Sequence, residues 1–133
     1  MKKLLASAAF ITGAIVAGVI VAGSAQAADA KYNFAVVPKN LNNPFFDQAK
    51  LGCDKAVAEL KGEVKCTFIG PPEHGGGDEQ VQIVEDLISK KVDGIAVSPS
   101  NAAAMAAALK DAKAAGIPVL TWDSDAPGSG RTE

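Results

Sequence analysis

The sequence predicts an α/β fold in which a parallel β-sheet carries helices on both faces. Four short apolar runs, rich in β-branched residues, alternate with three longer stretches of helical periodicity. The connections are short, and the repeat of about 30 residues has the length of a βαβ unit. The resulting order, βαβαβαβ, is typical of a parallel sheet with helices packed on its faces.

Each predicted strand is a short apolar run that ends at a residue unsuited to a strand. The first covers 32–37 and stops at Pro38, and the second covers 64–69 and stops at Gly70. The third covers 94–97, just before Ser98 and Pro99, and the fourth covers 117–122. These four runs account for the sheet.

The first predicted helix starts at Pro44, behind Asn43 as a cap, and stops at Gly62. One apolar face follows from spacings of three and four. It comprises Phe46, Ala49, Cys53, Val57 and Leu60.

The second predicted helix has acidic residues at its start and lysines at its end, which suits the helix dipole. Its apolar face comprises Val81, Val84, Leu87 and Ile88. The third is the Ala-rich stretch 101–115, terminated by Gly116. Before the second helix, Gly75 to Gly77 lack the lysine and hydroxyl of a phosphate-binding loop, which favours a flexible surface connection.

The first 27 residues have the pattern of a secretory signal peptide. Lys2 and Lys3 precede an apolar run over 4–22, and Ala25-Gln26-Ala27 fits a cleavage site. We expect export to the periplasm and a mature chain of residues 28–133. The alternative is an uncleaved anchor, since the run 4–22 is just long enough to span a bilayer.

Charge and cysteine content narrow the function further. The chain has 13 basic and 15 acidic residues, and loss of Lys2 and Lys3 would leave 11 basic residues and a formal charge of −4. No basic stripe for nucleic acid remains.

Cys53 and Cys66 are expected to form a disulfide after export, although two buried thiols are the alternative. A metal site is disfavoured, because His74 is the single histidine and no CxxC spacing exists.

Polar and aromatic residues follow the predicted strands, where ligands bind in open parallel sheets. Consecutive helical residues diverge by about 100°, so if Phe46 begins the buried face, Phe45 faces the mouth at the strand ends. An aromatic wall beside amides and a carboxylate suits a small polyol. The alternatives are a hydrophobic staple or a plain core contact, and Trp122 fits either core or ligand wall. The strand-end segments are 40–46, 71–74, 98–101 and 123–125.

Three segments together resemble one known family: LNNPFF at 41–46, VDGIAVSPSN at 92–101 and GIPVLTWDSD at 116–125. They look like the amino-terminal lobe of type I periplasmic sugar-binding proteins, the ribose-binding-protein group of ABC importers. The resemblance implies that Asn43, Phe45 and Phe46 line a sugar site and that Asp123 accepts hydrogen bonds from sugar hydroxyls. Ribose-type members have an arginine after that aspartate, whereas this chain has Ser124, which makes ribose itself a less expected ligand.

The function implied by the resemblance is capture of a sugar or related polyol and its delivery to an ABC permease. Such proteins need no cofactor and act as monomers. They have two lobes, so residues 28–133 would be a partial amino-terminal lobe. A secreted α/β enzyme is an alternative, but the sequence offers no catalytic residue, no GxSxG motif and only a poor carboxylate pair in Asp123 and Asp125. A sugar-sensing receptor or regulator of the same fold is another.

Overall fold

The computed structural model describes residues 30–132, so the predicted signal peptide lies outside the described residues. The predicted order of elements is confirmed. A 3-10 turn, Pro44–Phe46, precedes the first α-helix. In chain order the elements are β1 (Tyr32–Val37), α1 (Asp47–Glu59), β2 (Val64–Phe68), α2 (Asp78–Ser89), β3 (Gly94–Val97), α3 (Ala102–Ala114) and β4 (Val119–Thr121).

All strand pairs in the sheet are parallel, and the strand order is β2-β1-β3-β4. In β1, Phe34 pairs with Cys66 of β2 on one side and with Gly94 of β3 on the other. The chain therefore changes direction across the sheet between β1 and β3, which is where ligands bind in open α/β sheets. The carboxyl ends of β1, β3 and β4 lie side by side at one edge.

The core lies between one face of the sheet and the helices α2 and α3. The sheet contributes alternate residues, as expected when successive strand residues point to opposite faces. Val37 and Val97 are completely buried, and they pack with Val84 of α2 and Leu109 of α3. The continuous apolar cluster explains why these two helices adhere to the sheet and to each other.

The opposite face of the sheet is covered in part by α1, so the prediction of helices on both faces is confirmed. The predicted disulfide is present between Cys53 of α1 and Cys66 of β2, whose Cα atoms are 5.7 Å apart. Farther along this face, Phe34 and Leu120 remain exposed and border an apolar groove of about 340 Å³.

Two sequence predictions need correction. Leu60 was assigned to the buried face of α1 but is 48% exposed, because α1 ends at Glu59 and the chain turns away through Lys61 and Gly62, both with positive φ. The fourth strand is shorter than 117–122, because the amide of Ile117 donates to Ala112 O at the end of α3 instead of joining the sheet. No helix within residues 30–132 is long and apolar enough to cross a membrane.

Candidate functional site

The loop after β1 is held against the loop after β2 by backbone hydrogen bonds. The amide of Leu41 donates to Pro71 O at 2.9 Å, and that of Asn42 donates to Pro72 O at 3.2 Å. The buried side chain of Asn40 donates to the Asn42 carboxamide oxygen. These bonds fix the direction in which the chain enters the following turn.

Asn43 caps that turn, as the sequence predicted. Its Oδ1 accepts a hydrogen bond from the amide of Phe45 at 3.0 Å, and Pro44 takes the first position of the turn. The turn is 3-10 rather than α-helical, and it sets the two phenylalanines in different surroundings. Phe45 is 61% exposed, whereas Phe46 is 3% exposed. The predicted divergence of the pair is therefore confirmed, and Phe46 lies mainly in the interior.

Phe46 links the loop after β1 to the end of β4. Its ring meets the Phe45 ring edge to face, with centroids 5.1 Å apart, and the Trp122 ring edge to face at 5.6 Å. The buried Nε1 of Trp122 has no hydrogen-bond partner among the described residues. Packing on Phe46 therefore holds the indole, and this contact connects the aromatic pair to the neighbouring Asp123.

Asp123 is the centre of a polar cluster at the carboxyl ends of three adjacent strands. Its Oδ2 accepts from Lys39 Nζ at 2.9 Å, after β1, and from Ser98 Oγ at 2.7 Å, after β3. Asp123 itself follows β4 and has φ of 60°, in the left-handed region that aspartate tolerates better than most residues. Within residues 30–132, nothing hydrogen-bonds to its Oδ1.

The pKa of Asp123 lies below its ordinary value. The hydrogen bond from Lys39 lowers this pKa most, followed by the hydrogen bond from Ser98. Partial burial of the carboxyl opposes these effects, and the positive charge of Lys39 adds to them. The side chain is therefore a carboxylate at neutral pH, which makes its free oxygen a strong hydrogen-bond acceptor.

Ser124 and Asp125 lie next to this cluster but have other contacts. The amide of Ser124 donates to Trp122 O at 2.6 Å, in a tight turn. Asp125 accepts from Thr121 Oγ1 at 3.1 Å and pairs with Arg131, whose Nε lies 2.9 Å from Oδ1. Because Asp123 and Asp125 have separate partners, they do not form a carboxylate pair.

Two contributors to this edge, Lys39 and Gln80, escaped the sequence reasoning, which placed Ser98 at a strand end but did not foresee its contact with Asp123. Lys39 directly follows Pro38 after β1, and Ser98 directly precedes Pro99 after β3. Only the strand order shows that both residues meet Asp123. Gln80 lies four residues before Val84 on the buried side of α2, and a polar residue in that stripe was the available signal. Its side chain is completely buried.

The remaining candidate features do not join the site. His74 is exposed, and no group of three His, Cys, Asp or Glu side chains in the described part of the chain could hold a metal ion. Gly75 and Gly76 are exposed, but Gly77 is buried with φ of 102°, and a Cβ there would lie 2.8 Å from the Cβ of Asn101. The prediction of a flexible surface connection is therefore wrong for Gly77, which packs closely at the start of α2.

Comparisons with known proteins agree with this fold. The family described as periplasmic binding protein domain matches residues 34–133. The chain is 32% identical over 96 residues to the ribose import binding protein of Bacillus subtilis, covering 72% of this chain and 30% of the relative. It is also 32% identical over 97 residues to the D-allose-binding periplasmic protein of Escherichia coli, and this match covers 73% of this chain and 30% of the relative.

Among solved structures, an ABC transporter solute-binding protein from Burkholderia graminis in complex with D-arabinose is similar, with a TM-score of 0.70 and 42% identity. The match covers 78% of this chain and 35% of that protein. The chain thus spans about a third of the length of these relatives.

Proposed function

Because the chain belongs to the periplasmic binding protein domain family, we propose that its strand-end site binds a sugar or related polyol, as part of an extracytoplasmic solute-binding protein. The observation that carries the proposal is the Asp123 carboxylate, which Lys39 and Ser98 hold through one oxygen while the other has no partner within residues 30–132. A sugar hydroxyl is a donor of the right kind for that free oxygen.

The neighbouring groups complete what a polyol requires. The Asn43 carboxamide uses its oxygen for capping, so its NH₂ is available to donate to a hydroxyl. The exposed Phe45 ring offers an apolar surface for the C–H face of a sugar. Phe46 supports that ring from the interior, and the Ser124 hydroxyl adds a polar group where ribose-type proteins have arginine.

Binding fits this site better than catalysis. A general base works best when its pKa lies near the working pH, whereas the contacts of Asp123 lower its pKa from an already acidic value. Such a carboxylate is a poor base but a good acceptor. A binding role also agrees with the names of the relatives, which are a ribose import binding protein, a D-allose-binding protein and a solute-binding protein.

The proposal extends to transport. We infer that residues 28–133 form part of the amino-terminal lobe of a two-lobe protein that delivers its sugar to an ABC permease in the membrane. The names of the relatives support this role and the periplasmic location. A single lobe holds one wall of the site. We therefore expect the chain alone to bind sugars weakly and to exchange them rapidly.

Saturation-transfer NMR, which detects weak binding, tests the function. Residues 28–133 would be mixed with D-arabinose, D-allose and D-ribose, with L-leucine as a non-sugar control. We expect transfer to at least one sugar and none to leucine. The Asp123→Asn variant should weaken binding roughly ten- to hundredfold, because a hydrogen bond to a charged group contributes about 1.5–3 kcal/mol.

Asp125→Asn is the matched control, since Asp125 is paired with Arg131 rather than with the free edge of the site. Its affinity should equal that of the wild type. Absence of transfer to all three sugars, or equal transfer in the Asp123→Asn variant, would contradict the proposed function.

Export is tested separately by expressing residues 1–133 in a Gram-negative host and measuring the molecular mass of the periplasmic product. Cleavage after Ala27 predicts the mass of a chain that begins at Ala28. A membrane-bound product that retains Met1 would show an anchor instead of a signal peptide.

A further inference from the structure

Gln80 makes three hydrogen bonds from a completely buried position on α2. Its Nε2 donates to Pro38 O at 2.9 Å and to Ser98 O at 2.8 Å, and its Oε1 accepts from Ser100 N at 2.9 Å. Both donors of the carboxamide are thus used, and all three partners are backbone groups. A buried polar side chain satisfied so fully rigidifies what it contacts.

The partners of Gln80 belong to the loops that leave β1 and β3. These two strands run side by side, and their last backbone bond joins Ser98 N to Val37 O at 2.9 Å. Beyond that bond the ladder ends. The Gln80 carboxamide then bridges the two chains, since one nitrogen bonds a carbonyl of each. It continues the connection between strands at the point where the site begins.

The same two loops carry the groups that hold Asp123. Lys39 directly follows Pro38, and Ser98 offers its carbonyl to Gln80 while its Oγ donates to Asp123. A further contact, Ser100 Oγ to Lys39 O at 3.4 Å, ties the two loops together. The positions of both donors to Asp123 thus depend on backbone that Gln80 fixes.

We propose that Gln80 is a positioning residue of the sugar site, which fixes the backbone from which Lys39 and Ser98 hold the Asp123 carboxylate. It acts from the interior and does not touch the ligand. The assignment of a sugar rests on the proposed function, whereas the effect on Asp123 concerns the chain without ligand.

The test compares Gln80→Met, which keeps a similar volume but removes all three hydrogen bonds, with Val84→Ala. Val84 is also completely buried on α2, one turn farther along, and it contacts the apolar core. Both variants should lower the melting temperature. Two further measurements separate them: the titration of the Asp123 carboxyl carbon by NMR without ligand, and the dissociation constant for D-arabinose.

In Gln80→Met we expect the pKa of Asp123 to rise toward its ordinary value and D-arabinose affinity to fall about tenfold, since the donors to the carboxylate lose their fixed positions. Val84→Ala should leave both values unchanged. If Asp123 titrates alike in Gln80→Met and the wild type, or if Val84→Ala shifts it equally, the positioning role is overturned.

Should Gln80→Met fail to fold, Gln80→Glu supplies the decision. A buried glutamic acid can remain protonated, so it keeps the acceptor for Ser100 N and one donor, and it loses the hydrogen bond to either Pro38 O or Ser98 O. The pKa of Asp123 should again rise, and unchanged values would refute the proposal. Failure of the wild type to bind any sugar would refute the proposed function alone, because the ligand-free titration of Asp123 does not depend on it.

Discussion

Phe46→Ala should destabilise the chain far more than Phe45→Ala, although the two residues are adjacent. Phe46 is 3% exposed and meets the rings of Phe45 and Trp122 edge to face. Truncating a buried phenylalanine to alanine typically costs about 3–5 kcal/mol. Phe45 is 61% exposed, so it buries about two fifths of its side chain, and its loss should cost about 1 kcal/mol.

Urea denaturation of residues 28–133, followed by circular dichroism, measures both costs. The loss expected for Phe46→Ala is a large part of the 5–15 kcal/mol by which domains are stable. Phe46→Leu therefore serves as a milder variant, which should lie between the wild type and Phe46→Ala because it retains most of the buried volume.

Sugar binding should weaken in both alanine variants, because Phe45 offers its ring to the ligand and Phe46 supports that ring. Phe45→Ala should weaken the response to sugar while lowering the unfolding midpoint only as far as a loss of about 1 kcal/mol requires, because the exposed ring is available to the ligand and supports little of the core. Equal unfolding losses for Phe45→Ala and Phe46→Ala, with sugar binding unchanged in Phe45→Ala, would refute this division of roles.

Three further predictions concern charge, the disulfide and the backbone. Lys39→Met should raise the pKa of Asp123, since the Lys39 hydrogen bond lowers it most. A lowered pKa of Asp123 stabilises the fold above the unfolded-state pKa of about 3.9, and this stabilisation is lost as pH falls through the folded-state pKa. The urea midpoints of the variant and the wild type should therefore converge in acid. Reducing the disulfide between α1 and β2 should cost about 3 kcal/mol, measured by urea midpoint with and without reductant, and two alkylatable thiols before reduction would show that no disulfide forms. Gly77→Ala should lower the melting temperature, because Gly77 has φ of 102° and a Cβ there would lie 2.8 Å from the Cβ of Asn101. Gly76→Ala should not lower it, because a Cβ at Gly76 would have nothing within 4 Å.

Much of the fold was predictable because local signals and tertiary packing agree. Strand β1 has the predicted bounds, since a β-rich run ends at Pro38 in both sequence and structure. Agreement failed where a tertiary or terminal contact decided the outcome. The amide of Ile117 completes the end of α3, which shortens β4, and Leu60 falls beyond the last turn of α1. Apolar spacing alone does not locate either boundary.

The site was predictable in its aromatic part and less so in its polar part. Asn43 caps a turn that sends Phe45 and Phe46 to different surroundings, and this follows from local geometry. The contacts of Lys39 and Ser98 with Asp123 depend on strand order, which places the ends of β1, β3 and β4 together. Alternation of strands and helices in the sequence specifies a parallel sheet but leaves that order open.

The central claim is that a sugar binds at the carboxyl ends of β1, β3 and β4, and residue-resolved NMR titration tests it most directly. Residues 28–133, uniformly labelled with ¹⁵N, would be titrated with D-arabinose, D-allose and D-ribose. We predict saturable amide shifts for at least one sugar, concentrated at 39–46, 98–101 and 122–124. Absence of saturable shifts with all three sugars would contradict the claim, as would shifts confined to the apolar groove beside Phe34 and Leu120.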